Sequence, residues 1–132
     1  VLGTGVGGLG AIRNLAGANA LTMTIGLDGD TTIGVNAGTL TLTNALYGDG
    51  ALNASNLTKV GNGVLVLSGT NLYSGVTVFA GGVVQATTLA DNGTASSLGV
   101  GTGDPGGDSI GLLFRGGALR YAGSTRAGIR GR

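Results

Sequence analysis

The acids of this chain are six aspartates, Asp28, Asp30, Asp49, Asp91, Asp104 and Asp108, and there is no glutamate, histidine or cysteine. Carboxylates do glycosidic chemistry when they flank the scissile bond as a pair, and lyase chemistry when a basic residue beside them takes the proton. Neither arrangement is legible here. Asp28, Asp30, Asp49, Asp104 and Asp108 stand beside glycine in "GLDGD", "GDG" and "GTGDPGGDS". Asp next to Gly is tight-turn chemistry, because the side chain caps the local backbone and both residues tolerate left-handed conformations. The turn reading is preferred, and no catalytic residue is assigned.

Metal and cofactor chemistry fare similarly. The Gly and Asp spacing of "GTGDPGGDS" and "GLDGD" is similar to that of calcium-binding nonapeptide β-rolls, but the tandem GGxGxDxUx register is missing. Calcium stands as the lesser alternative, and no metal ligand is assigned. Without cysteine there is neither a thiolate metal site nor a disulfide framework. The glycines of "GTGVGGLG" from Gly3 lead into no strand-helix context and no phosphate-binding lysine follows, so no cofactor-binding residue is assigned and no small-molecule cofactor is expected.

The cations are placed asymmetrically. Lys59 is the sole lysine, and Arg115, Arg120, Arg126, Arg130 and Arg132 lie in the final 18 residues. The preferred reading is a solvated outward face paired with Asp104 and Asp108. The alternative is a strip that docks an acidic partner, either a neighbouring protomer or an anionic polysaccharide. Aromatics beyond Phe114 and Tyr121 do not interleave with these arginines, so no nucleic-acid partner is expected.

The elements that would position these residues follow from an internal repeat. "TTIGVNAGTLTLT" from Thr31, "SNLTKVGNGVLVLS" from Ser55, "GVTVFAGGVVQAT" from Gly75 and "IGLLFRGGALRYA" from Ile110 superimpose. Each has an apolar anchor (Val35, Val60, Phe79, Phe114), a glycine three residues on (Gly38, Gly63, Gly82, Gly117) and a run of period two. The anchors are 25, 19 and 35 residues apart. The first two spacings are one coil of a β-solenoid, and the third is one coil plus an excursion. Leu40 and Leu42, Leu65 and Leu67, Val84 and Ala86, and Leu119 and Tyr121 would form an apolar column. Thr39, Thr41, Val66, Gln85 and Arg120 would point the other way. The recurrent glycine predicts a tight corner. Leu57 and Val60 cannot both follow strict alternation, which predicts a bulge there.

Leu21, Met23 and Ile25 predict one further strand before the Asp28-Gly29-Asp30 turn, and "LGAIRNLAGAN" a part of a preceding coil. Residues 90–109 predict an irregular loop or insertion between coils, with a ragged strand around Leu98 and Val100. The whole, residues 1–132, reads as a single segment.

Composition agrees with this picture. Thirty of the 132 residues are glycine, yet there is one proline and no three-residue period, which excludes collagen. At 42% hydrophobic and net charge +1 the chain is not of the disordered class. Strands of about five residues and only five aromatics argue against a transmembrane barrel. No apolar run reaches the roughly 18 residues of a spanning helix, so no membrane insertion is expected. No basic and apolar leader stands at Val1, so any export signal is expected outside this sequence.

The stretch Leu57 to Ala86 resembles the autotransporter-associated β-strand repeat found in passenger regions of bacterial autotransporters and large surface adhesins. The residues that carry the resemblance are Leu57, Thr58, Lys59, Gly61, Gly63, Leu65, Leu67, Ser68, Gly69, Asn71, Tyr73, Ser74, Gly75, Thr77 and Gly82. Leu72, Val76 and Phe79 depart from it, standing where Thr, Gly and a smaller apolar residue are usual. "IGLLFRGGALRYAGSTRAGIRG" also resembles the segment that follows in large members.

The resemblance implies an all-β, right-handed parallel β-helix outside the cell or on its surface, and carries no catalytic residue over. With the repeat count, the expectation is a β-solenoid of about five turns with open ends. Its role would be structural rather than enzymatic: a stalk, adhesin shaft or extracellular fibre. Its partners would be neighbouring repeats, or copies of itself end to end, with surface polysaccharide as a further candidate. A carbohydrate-binding or carbohydrate-cleaving β-helix module is the alternative, with outward-facing Thr, Asn and Tyr73 as binding residues, although these equally form the polar ladders of any solenoid surface.

Overall fold

Strands of three to five residues, most of them separated by three-residue corners, fill the computed structural model, which describes residues 1–48, 55–101 and 111–123. The chain lays down β1 (Ile12–Asn14), β2 (Ala18–Leu21) and β3 (Ile25–Leu27), then β4 (Thr31–Val35), β5 (Thr39–Leu42) and β6 (Leu46–Gly48). It continues with β7 (Leu57–Val60) and β8 (Val64–Leu67), β9 (Thr77–Phe79) and β10 (Val83–Ala86), and β11 (Leu112–Phe114) and β12 (Ala118–Tyr121). High glycine and low Glu and Lys content disfavour helix, and the alternating Leu, Val and Thr suit half-buried strands. Among the described residues the only helical element is a 3-10 turn at Val6–Gly8, and no helix is long and apolar enough to cross a membrane.

Sheet one runs β1-β4-β7-β9-β11, sheet two runs β2-β5-β8-β10-β12, and β3 pairs with β6 in a third sheet. Every strand pair is parallel. Each pass therefore gives one strand to sheet one and the next to sheet two, and the following pass pairs alongside it.

The core lies between the sheets. In sheet two, Leu40, Leu65, Val84 and Leu119 are register partners, and so are Leu42, Leu67, Ala86 and Tyr121. Leu40 through Ala86 are buried, while Leu119 and Tyr121, on the last strand, are half-buried. Thr39, Thr41, Val66 and Gln85 are half-buried on the other face and Arg120 is exposed. The predicted alternation of sheet two thus holds residue by residue.

The glycines also hold their register, because the residues that follow them, Thr39, Val64, Val83 and Ala118, are partners. Gly82 combines both reasons for glycine: its φ is +60°, and a Cβ would lie 2.4 Å from the Gly63 carbonyl oxygen.

Sheet one differs from expectation. Its inward column is Ile12, Ile33, Lys59, Phe79 and Phe114, so neither Val35, which is inward but pairs with Asn14 two residues on, nor Val60 is the anchor at this level. Val60 pairs with Gly34 and faces outward, half-buried. No bulge interrupts β7, whose four residues pair continuously with Thr31 to Gly34. Leu57 and Lys59 take the inward parity instead, both fully buried. From the column residue to the first residue of sheet two the chain uses six, six, five, four and four residues in successive passes. The corner itself is three residues in every pass, so a fixed offset before glycine slips in the earlier passes because the strand there runs one or two residues past the column residue.

The strand predicted over Leu21 to Ile25 is two strands, β2 and β3, with Met23 at the corner and 63% exposed. Residues 12–14 do form a strand on β4, as the amino-terminal reading expected. Before it, Gly3 bridges Thr31 and the chain returns at Ala11, whose N–H donates to the Thr32 carbonyl. The intervening residues lie over the outer face of β4: a Cβ on Gly34 would collide with the Leu9 carbonyl oxygen. This cover explains why all five residues of β4 are buried.

Candidate functional site

Charged residues suggested by the sequence occupy ladder and surface positions. Asp30 Oδ1 accepts the N–H of Asn56 at 3.0 Å, and Asn56 Oδ1 in turn accepts the N–H of Val76 at 2.6 Å. Asp30 and Asn56 do the same work at the entry to sheet one, each side chain holding the backbone of the next pass. Asp28, 79% exposed, lies 3.8 Å from the amino-terminal nitrogen. Asp91 accepts the Thr94 N–H through its main-chain carbonyl. Among the described residues no group of three or more acids or histidines could hold a metal ion.

Arg120 Nε donates to Gln85 Oε1, its register partner, at 2.8 Å on the outward row of sheet two. Arg115 is exposed at the corner between β11 and β12. Asp49, Asp104, Asp108, Arg126, Arg130 and Arg132 lie outside the described residues, and so do the proposed pairings of the arginines with Asp104 and Asp108.

The most developed polar chemistry is inside the stack, and Tyr73 is buried there rather than facing outward as the polysaccharide-binding alternative expected. Lys59 is fully buried, with Ile33 and Phe79 as its register neighbours. Its Nζ donates to the Gly61 carbonyl at 2.8 Å and to the Gly81 carbonyl at 3.0 Å. Burial strips water from the ammonium and pulls its pKa down to about 8. Glycine at position 82 makes room for it, since a Cβ there would lie 2.8 Å from Nζ. The signal for this arrangement was parity: Lys59 stands two residues after Leu57.

Asn71 is a second bridge. Its Oδ1 accepts the Leu46 N–H at 2.8 Å, and its Nδ2 donates to the Ser97 carbonyl at 2.6 Å, so one buried amide joins three successive layers. Tyr73, fully buried, shares a 2.7 Å hydrogen bond with Thr77 Oγ1, and burial pushes its phenol well above the usual range. Ser97 Oγ accepts the N–H groups of both Thr87 and Thr88. Hydroxyls also line the exit of sheet two, where Thr43 donates to the Leu21 carbonyl and Ser68 to the Leu42 carbonyl.

Residues 90–101 cross the end of this network without forming a strand. Asn71 and Ser96, and Ser96 and Gly99, make single antiparallel bridges, Leu98 is buried, and the Val100 N–H reaches the Tyr73 carbonyl at 2.9 Å. A cavity of about 250 Å³ opens beside them, lined by Leu89, Asp91, Leu98, Val100, Leu112 and Leu119 among others. Its described walls are mainly aliphatic, and Asp91 is the one carboxylate among the described residues that line it.

Residues 57–86 match the family described as passenger-associated-transport-repeat. The repeat read from the sequence over the same residues is thereby borne out. The chain is also 34% identical over 134 residues to an adhesin BmaC autotransporter of Brucella suis biovar 1 (strain 1330), over 96% of this chain. The chain spans about 4% of the length of that curated relative. No solved structure matches.

Proposed function

We propose that this chain is a repeat segment of a surface-displayed or secreted autotransporter passenger, coiled as a right-handed parallel β-helix of about five turns. The observation that carries the reading is the pairing pattern: sheets one and two each gain one parallel strand per pass, in the same chain order. Parallel strands joined by a crossover are right-handed in about 98% of cases, which supports the hand. In this reading residues 90–109 are an insertion between two coils of a single segment. The similarity to an adhesin autotransporter and the passenger-associated repeat support a location outside the cell.

The role is mechanical and non-enzymatic: the segment extends a stalk, shaft or fibre. Main-chain ladders and a thin inward column make a rod whose length grows by about 4.8 Å per coil. In this reading the segment stacks on neighbouring coils or on copies of the chain. Phe114 stacks on Phe79 with ring centroids 4.5 Å apart, yet it remains 52% exposed on the last described strand of sheet one, which supports this part of the reading.

Electron microscopy of the purified chain at rising concentration tests the assembly. Rods of several chain lengths are expected, shortened by Phe114→Asp; uniform monomers at high concentration would overturn end-to-end stacking. A glycan array with and without calcium, followed by a product assay on any ligand retained, tests the mechanical reading. Release of unsaturated sugar products would replace it with an enzymatic one.

A further inference from the structure

Alternation alone leaves the stack ambiguous. Sheet two presents Leu40 and Leu42, Leu65 and Leu67, and Val84 and Ala86 at equivalent inward positions. A pass that slides by two residues still puts an apolar side chain inside, because the side-chain period of a strand is two. Coil length does not forbid the slide either. Successive members of the sheet-one column are 21, 26, 20 and 35 residues apart, so the connections already absorb large differences.

Lys59 is sensitive to such a slide. Its Nζ is held by one carbonyl of its own pass, Gly61, and one of the next, Gly81. A two-residue shift moves the next strand by about 6.6 Å along its axis, which takes the Gly81 carbonyl out of hydrogen-bonding reach. The ammonium would remain in the core with an acceptor lost, and a buried charge short of partners is strongly disfavoured. Gly82 reinforces the choice, because its bare Cα leaves the space Nζ occupies.

We infer that Lys59 is a register pin: its buried ammonium selects the one alignment in which the pass carrying β9 and β10 stacks on the pass carrying β7 and β8. It acts by making the slipped alternatives worse, in the way a single buried polar residue sets the register of a coiled coil. The substitution that isolates this role is Lys59→Met, which keeps the length of the side chain and removes the donor.

The absence of cysteine allows the register to be read by disulfide trapping. Val66 and Gln85 are outward register partners of β8 and β10, whereas Val83 and Thr87 lie two residues to either side of Gln85. Parallel partners fall within disulfide reach, while diagonal Cα atoms about 8 Å apart lie beyond the roughly 7 Å limit. With Lys59 present, the pair Val66→Cys and Gln85→Cys is expected to cross-link. Val66→Cys with Val83→Cys, or with Thr87→Cys, is expected not to. In the Lys59→Met background at least one diagonal pair is expected to gain cross-linking several-fold while Val66→Cys with Gln85→Cys loses it. An unchanged pattern in a folded Lys59→Met chain would overturn the inference.

A second measurement needs no substitution at Lys59. Because the chain has one lysine, selective ¹⁵N-lysine labelling gives a single side-chain nitrogen signal. Slow proton exchange at Nζ and hydrogen-bond couplings to the Gly61 and Gly81 carbonyl carbons are expected. Exchange at the rate of a free amine, or no coupling to Gly81, would overturn the inference even if Lys59→Met failed to fold.

Discussion

Two buried titrating side chains of the same repeat pull stability in opposite directions with pH. Lys59 has a pKa of about 8 in the folded chain against 10.5 for the ordinary side chain. Between these values the unfolded chain binds more protons, so stability rises with pH across about 8 to 10.5; below 8 the burial cost of the charge is fully present. Tyr73 has a phenol raised above its ordinary 10.0. It leaves stability unaffected below pH 10 and lowers it above, as the unfolded chain ionises. Chemical denaturation from pH 7 to 11 is expected to show stability climbing from about pH 8, then flattening or falling beyond 10. Lys59→Met should remove the climb, and Tyr73→Phe should remove the high-pH loss. A flat profile in the unsubstituted chain would contradict the desolvated placement of Lys59.

At the scale of the strand, much was legible because apolar parity and glycine spacing have direct physical causes. The inward positions of sheet two and the register of Gly38, Gly63, Gly82 and Gly117 follow from a period of two and from corners that reject a Cβ. Sheet one was misread at Val60 because an apolar pattern cannot recognise lysine as an inward residue. Hydrogen bonds to Gly61 and Gly81 make that placement tolerable, and they exist only once the corners are folded. The roles of Asn71 and Ser97 were hidden for the same reason, since their partners arrive from distant passes. Leu65 tests the strand-level account. It is fully buried between Leu40 and Val84, and Leu65→Asp places a carboxylate among side chains that cannot solvate it. The chain is expected to lose its cooperative thermal transition, as followed by circular dichroism. Retention of a transition within a few degrees of the parent would contradict the inward column.

For the whole molecule, the hydrogen bonds among the described residues tie each pass to the next. Asp30 and Asn56 bridge passes with side-chain oxygens, and Asp28 stands exposed beside them. Asp28→Asn is therefore expected to leave the melting temperature within about one degree of the parent, with calcium or with a chelator, by scanning calorimetry. A calcium-dependent rise of several degrees, abolished by Asp28→Asn, would favour the metal-binding alternative.

The uneven spacing of the sheet-one column has a practical consequence. Lys59 and Phe79 are 20 residues apart and Phe79 and Phe114 are 35, yet both pairs are register partners. All the added length falls between leaving sheet two and re-entering sheet one, while the corners from sheet one to sheet two stay at three residues. Lengthening a loop costs only about 0.6 kcal/mol per doubling. The connections from sheet two back to sheet one can therefore accept grafted peptide, whereas the opposite corner, packed against its neighbours, has no such latitude.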